Sequence, residues 1–123
     1  MSAPVITTLL SPNPASGNTT PAGLNTETTL ASATSLSQGG TFLPQVDLSN
    51  MADGDVTEIR IYNQANSGSS LVLQCYMAFG NAQGDPLPPL PAIPATIGWK
   101  VTVNQTAGTA RAYQWSVLNL NGT

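Results

Sequence analysis

The sequence contains no histidine, a single cysteine and few charged residues. Without histidine, the chain lacks the usual general base near neutral pH, a common metal ligand and the Ser–His pair of hydrolases. Cys75 has no partner for an intramolecular disulfide. It falls within an apolar alternation, which favours a small buried hydrophobe over a reactive thiol, since the latter needs exposure and a nearby cation. These absences predict a non-enzymatic protein with no cofactor.

Charged residues make up 7 % of the chain, against about 25 % in ordinary soluble domains. The only cations are Arg60, Lys100 and Arg111, and the formal net charge is −3. Nucleic-acid binding depends on neutralising many phosphates with Lys and Arg, so no nucleic-acid partner is expected. About a third of the residues are Ser, Thr, Asn or Gln. A surface with so little charge to repel its neighbours suits a protein that is packed into an assembly.

Long apolar runs are also missing. No stretch approaches the ~20 apolar residues that a bilayer crossing needs, so no membrane association is expected. The N-terminal residues MSAPVITTLLSP lack the positive start of a secretory signal. We therefore expect synthesis in the cytoplasm, with export only as part of a particle.

Residues 1–40 contain one charge, Glu27, and no aromatic side chain. Such a segment buries too little apolar surface to offset an ordering cost of roughly 1–2 kcal/mol per residue, and we predict an extended N-terminal arm. Small apolar patches would anchor it, at Val5, Ile6, Leu9 and Leu10 and again at Leu30 and Leu36. The anchoring surface remains open between the protein's own body, a sister subunit and another neighbour. The rest of the chain is expected to fold without this arm.

From residue 41 onward the sequence alternates with period two, which is typical of half-buried strands. No segment shows a capped helical period, so residues 41–123 are predicted to form an all-β domain, a small antiparallel β-sandwich or jelly-roll-like fold. The alternation places six side chains in its core: Trp99, Val101, Val103, Tyr113, Trp115 and Val117. The stretch LVLQCYMAF carries an apolar face and is predicted to be a central strand, with the face formed by Leu71, Leu73, Cys75, Met77 and Phe79.

The candidate contact residues on the domain surface are Tyr62 and Tyr76, because alternation turns both away from the predicted core. Glu58 and Arg60 share one strand face and are expected to form an ion pair worth less than about 1 kcal/mol. The acidic run ADGDVTE lacks the spacing of an EF-hand loop, and DGD before a strand is ordinary turn chemistry. No metal site is predicted there.

Five prolines fall in the nine residues PLPPLPAIP, at positions 86–94. Polyproline II has three residues per turn, so Leu87, Leu90 and Ile93 would line one edge of a stiff rod. The basic residue that usually accompanies an SH3 ligand is missing from the segment. The favoured interpretation is a rigid crossover between the two sheets, packed on its own domain. The alternative is that the same apolar edge packs on a neighbouring protein.

Two stretches, GWKVTVNQTAGTARAYQWSVLNL (98–120) and GDVTEIRIYNQ (54–64), resemble a group of small β-sandwich structural proteins of tailed bacteriophages. The QTAGT hairpin is the most distinctive shared element, and the similarity covers about residues 41–120. The resemblance implies a capsid decoration, or cement, protein without catalytic residues. Its expected partners are the major capsid protein and sister subunits, as a trimer rather than a dimer. Its expected location is the capsid surface of the virion, assembled in the host cytoplasm.

A second hypothesis is a receptor- or carbohydrate-binding module on a phage head fibre or tail. It requires an exposed aromatic platform, for which Tyr62 and Tyr76 are again the candidates. An exposed aromatic groove would favour this hypothesis, whereas contacts with a capsid shell would favour the first.

Overall fold

The computed structural model describes residues 15–36 and 39–120, which form two four-stranded antiparallel sheets packed face to face. The sheet orders are β1-β8-β3-β6 and β2-β7-β4-β5. This confirms the predicted all-β antiparallel sandwich. The strands are β1 (Ala15–Thr19), β2 (Thr28–Ala33), β3 (Gly40–Asp47), β4 (Val56–Gln64), β5 (Val72–Gly80), β6 (Ile93–Ala95), β7 (Gly98–Ala107) and β8 (Tyr113–Leu120).

The core lies between the sheets and follows the period-two alternation of β3, β4, β7 and β8. Phe42 of one sheet meets Trp99 of the other with ring centroids 4.9 Å apart. The predicted inward positions are confirmed for five of six aromatic and valine side chains, which are buried: Trp99, Val101, Val103, Tyr113 and Val117. Trp115 is half-buried and packs against the same core.

The structure departs from the sequence expectation in the N-terminal region. Part of the predicted arm forms β1 and β2, which pair with β8 and β7 as one strand of each sheet. Leu30 of β2 is 7 % exposed, and Leu36 packs against the core from the following loop. The composition of this region is too polar for independent folding, but long core strands supply the backbone partners and the apolar surface that it lacks. The sandwich therefore extends to residue 15.

β1 depends on a glycine at its centre. Gly17 pairs with Trp115 of β8, and a Cβ at position 17 would lie 2.6 Å from Cζ2 of the indole ring. The missing side chain lets the ring lie against the backbone of β1. The indole N–H donates a hydrogen bond to Oγ1 of Thr19 at 3.1 Å, which holds the ring in place.

The prediction that LVLQCYMAF is a central strand is wrong. β5 is an edge strand, and among the described residues it pairs only with β4. Its apolar face is also interrupted, because a bulge opposite Ile61 and Tyr62 makes Cys75 pair with Ile61 but Leu73 pair with Tyr62. The bulge moves Leu73 to the solvent face, where it is 52 % exposed.

The proline-rich segment connects β5 of one sheet to β6 of the other, as the crossover interpretation predicted. The backbone N–H of Leu48 donates to the carbonyl of Pro86 at 2.8 Å and ties the segment to the body. The apolar edge is graded along its length: Ile93 is fully buried, Leu90 packs partly against the core, and Leu87 is 53 % exposed. Most of this edge therefore packs on its own domain.

Candidate functional site

The outer face of the sheet β2-β7-β4-β5 combines the two outward tyrosines with much of the chain's charge. Alternation along β4, β5 and β7 turns these side chains to solvent, and the residue that precedes β2 adds a carboxylate. We call this surface the tyrosine face, and it consists of Glu27, Glu58, Arg60, Tyr62, Tyr76 and Lys100.

One half of the tyrosine face is built around Tyr76. Arg60 pairs with Tyr76 across β4 and β5, and its guanidinium carbon lies 4.9 Å from the ring centroid, in cation–π geometry. Glu58 joins the two. It accepts a hydrogen bond from the Tyr76 hydroxyl at 2.7 Å and forms an ion pair with Arg60 Nη1 at 2.9 Å. The expected Glu58–Arg60 pair is thus confirmed. The Tyr76 ring remains 47 % exposed, held in one orientation by these contacts.

The other half is built around Tyr62. Lys100, its register partner on β7, places Nζ 4.6 Å from the centroid of the ring. Glu27 accepts hydrogen bonds from the hydroxyls of Tyr62 and Thr102, the second at 2.6 Å. Each tyrosine therefore lies against a cation and donates its hydroxyl to a carboxylate.

These contacts fix the ionisation of the face. The Tyr76 hydroxyl and the Arg60 guanidinium hold the pKa of Glu58 below its ordinary 4.5, although burial opposes them. Burial acts to raise the pKa of Glu27, but hydrogen bonds from Thr102 and Tyr62 outweigh it, and the net pKa is lowered. The hydrogen bond to Glu58 raises the pKa of Tyr76. At neutral pH the face therefore presents two neutral tyrosines with two carboxylates and two cations.

Replacing Glu58 with glutamine is expected to reduce stability slightly and only above acidic pH. Because the pKa of Glu58 is lower in the folded state, its contribution is present above about pH 4.5 and is lost as the pH falls through the folded-state pKa. We expect Glu58→Gln to lower the free energy of unfolding by about 0.5–1 kcal/mol at pH 7. Urea titrations from pH 7 to pH 3 measure the difference in unfolding free energy between the wild type and Glu58→Gln. This gap should close toward pH 3. Asp85→Asn, in an exposed loop, is the control, and a gap that widens on acidification would contradict this assignment.

A second polar cluster is buried at one end of the sandwich, where the turn before β4 meets the β7–β8 hairpin. Asp55 is 1 % exposed and binds Nε of Arg111 at 2.7 Å. It also accepts hydrogen bonds from the backbone N–H groups of Ala52 at 2.9 Å and Thr109 at 3.2 Å. Gly108 permits this approach, since its φ is +89° and a Cβ there would lie 2.8 Å from the Asp55 Cα.

The same hairpin is held from inside by Gln105, which is fully buried. Its amide nitrogen donates to the carbonyls of Ala107 at 3.0 Å and Thr109 at 2.6 Å, and its oxygen accepts from the Arg111 N–H and the Tyr113 hydroxyl, both at 3.0 Å. The distinctive QTAGT stretch and the upstream GD thus meet in one hydrogen-bonded network that shapes the hairpin. Among residues 15–36 and 39–120, no group of three or more His, Cys, Asp or Glu side chains is placed to hold a metal ion.

The predicted contact residues do not form one surface. Val5, Ile6, Leu9 and Leu10 lie outside the described residues. Tyr62 and Tyr76 come together on the tyrosine face, whereas Leu87 borders a shallow depression on the outer face of the other sheet with Gln45 and Gln114. The remaining four pack within their own domain, because their strands and loops turn them toward the core: Leu30, Leu36, Leu90 and Ile93.

Sequence reasoning did not include Glu27 or Lys100 in the candidate site. The alternation of β7 does place Lys100 on the outer face. Nothing in the sequence links Glu27 to Tyr62, because the two are 35 positions apart and meet only through the pairing of β2 with β7 and β7 with β4.

Fold and site together define a small antiparallel β-sandwich that displays a charge-compensated aromatic face. Comparisons with protein-family models, with curated proteins and with solved structures found no match to this chain. In the described part of the chain there is no helix of the length and apolarity that a membrane span requires.

Proposed function

We propose that this protein is a non-enzymatic capsid decoration protein of a tailed bacteriophage, which binds and stabilises the shell of the major capsid protein. The tyrosine face carries the proposal. Tyrosine and arginine are enriched at protein–protein interfaces, and both lower the entropic cost of association when they are already held in place. Tyr76 and Arg60 are held in this way, by Glu58 and by each other.

The electrostatics of the face support the same role. Arg60 is paired with Glu58, Glu27 accepts two hydroxyl hydrogen bonds, and Lys100 lies over the Tyr62 ring, so the face carries no net charge against a neutral partner surface. Leu73 of β5, which pairs with Tyr62 and is 52 % exposed, adds apolar contact area to the face. Weak contacts of this kind gain strength when they are repeated over many copies on a shell. The proposal includes association of sister subunits on the capsid surface of the virion.

The test is co-sedimentation of the full-length protein with DNA-free expanded shells assembled from the major capsid protein encoded with it. We expect saturable binding, and about a 30-fold weaker affinity for Tyr76→Ala, the loss typical of a central hot-spot tyrosine. Gln114→Ala, an exposed side chain on the outer face of the opposite sheet, should bind like the wild type. Wild-type protein that stays in the supernatant would overturn the proposed function, and a Tyr76→Ala variant that binds normally would remove the tyrosine face from it.

A second candidate is a carbohydrate-binding module, favoured by the half-exposed Tyr76 ring beside polar groups. Sugars stack on such rings and hydrogen-bond to neighbouring carboxylates and amides, here Glu58 and Asn104, whose Nδ2 lies 3.5 Å from Glu58 Oε1. A glycan array probed with the full-length protein tests it. Binding that Tyr76→Ala abolishes would establish this function, whereas an array without hits would exclude it for the glycans displayed.

A further inference from the structure

β5 leaves one edge of the sheet β2-β7-β4-β5 without a partner strand in the described part of the chain. Among the described residues it pairs only with β4. None of the backbone hydrogen bonds that turns and loops make within residues 15–36 and 39–120 involves residues 72–79. An edge strand presents a row of unpaired N–H and C=O groups, and another strand can pair with that row.

The features that usually protect such an edge are missing from β5. Its sequence, VLQCYMAFG, contains no charged residue and no proline, and at nine residues it is the longest of the four edge strands described. By contrast, β6 at the edge of the other sheet has three residues and contains Pro94, and a bulge between Thr29 and Ala31 interrupts β2. Charge, proline, short length and bulges prevent edge-to-edge association, so β5 is the edge at which association is expected.

The inward side chains of β5 also lack full cover. Met77 pairs with the fully buried Ile59 and therefore points inward, with Cys75 and Phe79 on the same face. All three remain half-buried, at the flank where the two sheets end in β5 and β6. A strand added along β5 would cover these apolar side chains as well as the backbone edge.

The sequence of β5 is complementary to a second copy of itself. Two identical antiparallel strands pair about a two-fold axis, and directly opposite residues share a face of the sheet. β5 pairs with β4 without a bulge over residues 75–80, and an axis through Met77 uses nearly all of this regular run. Opposite Cβ atoms lie only about 5 Å apart, so a large side chain fits best opposite a small one. The pairs that this axis creates are Phe79 with Cys75 on the inner face and Tyr76 with Ala78 on the outer face.

The charges on β4 favour the same axis. Across β4 and β5, Arg60 pairs with Tyr76 and Glu58 pairs with Ala78. With Tyr76 opposite Ala78 of the second copy, each row of side chains across the interface begins with Arg60 of one copy and ends with Glu58 of the other. An axis through Tyr76 would instead place two arginines in one row. The axis through Met77 therefore keeps like charges out of the same row, where they would be unfavourable.

We infer that β5 pairs with β5 of a second copy of this chain, antiparallel and with Met77 at the two-fold axis. The two four-stranded sheets then form one eight-stranded sheet, whose outer side carries both tyrosine faces. This pairing specifies how sister subunits associate in the proposed function, as a dimer in place of the trimer that the resemblance implies. Its test needs no capsid, so the pairing can fail while the proposed function stands, and the reverse.

Sedimentation equilibrium of the full-length protein between about 10 μM and 1 mM tests the pairing. We expect a reversible dimer, and at least about a 10-fold larger Kd for Met77→Lys, which sets two like charges opposite each other at the axis. Leu87→Lys is the matched control, because it adds the same charge at an exposed leucine outside the strands and should dimerise like the wild type. A wild-type protein that stays monomeric at about 1 mM, or a dimer that Met77→Lys leaves unchanged, would overturn the inference.

Hydrogen exchange on the wild-type protein supplies a readout that does not require a variant to fold. Amides of residues 75–79 that point away from β4 should be protected at protein concentrations above the Kd and should exchange rapidly below it. Protection that does not depend on concentration would assign this edge to another segment of the same chain and overturn the pairing. An absence of protection at every concentration would overturn it as well.

Cysteine cross-linking tests the position of the axis. In the double variant Cys75→Ser/Met77→Cys, the new thiol lies opposite the same thiol of the second copy, and mild oxidation should give a disulfide-linked dimer. In the wild type Cys75 faces Phe79 of the second copy, and the same oxidation should leave the protein without a cross-link. Cross-linking through Cys75 in place of position 77 would overturn the Met77-centred register.

Discussion

Replacing Asp55 with alanine is expected to lower the free energy of unfolding by about 3 kcal/mol or more. Hydrogen bonds to charged groups contribute about 1.5–3 kcal/mol each, and Asp55 accepts from Arg111 and from the N–H groups of Ala52 and Thr109. Its removal leaves the two backbone donors unpaired in a partly buried turn. The guanidinium of Arg111 also loses its anion, although it keeps some contact with solvent.

Urea unfolding followed by circular dichroism measures this loss as a lower midpoint at unchanged slope. Asp53→Ala is the matched control, since Asp53 lies two positions away but is exposed and accepts one long hydrogen bond from the Ala82 N–H, at 3.3 Å. The control should lose less than about 0.5 kcal/mol. Equal losses for the two variants would show that the buried cluster does not hold the hairpin.

The stability difference between the wild type and Asp55→Ala should depend on pH, because the pKa of Asp55 is lowered in the folded state. The Arg111 guanidinium and the Ala52 N–H hold the pKa of this carboxyl below its ordinary 3.8. A carboxylate with a depressed folded-state pKa contributes stability that is present above its unfolded-state pKa and is lost as the pH falls through the folded value. The difference between wild type and Asp55→Ala should therefore be constant from pH 7 to about pH 5 and narrow below pH 3.8.

Deleting residues 1–36 is expected to abolish cooperative folding, the largest effect that we predict. The deletion removes β1 and β2, and with them Leu30 from the core and the ladder partners of β7 and β8. Trp99 and Val117 would lose their cover, and two long strands would become edges. Small sandwiches have a low free energy of unfolding. The interactions lost with two of the eight described strands are expected to exceed it.

Near-UV circular dichroism and thermal melting of the truncated protein provide the measurement. We expect no near-UV signal and no cooperative melt for the chain that starts at residue 37. The control, a deletion of residues 1–14, keeps all eight described strands and should melt cooperatively. A cooperative melt of the shorter chain would instead support the expected domain boundary at residue 40.

The sequence by itself determined the features that depend on local periodicity. Alternation in β7 and β8 placed Trp99, Val101 and Val103 inside, and the structure confirms each of them. The same alternation turned Tyr62 and Tyr76 outward. These assignments succeed because the side chains of a strand without a bulge take opposite sides in succession.

Only the tertiary structure decided the features that depend on which strands pair. The order of the sheets made β5 an edge, and a bulge turned Leu73 to solvent. Pairing with β7 and β8 recruited β1 and β2 from a region whose own composition predicted no fold. The ion pair of Asp55 with Arg111 joins positions 56 apart. Local composition and period carry no information on such long-range partners, because their free energy appears only when distant segments are brought into register.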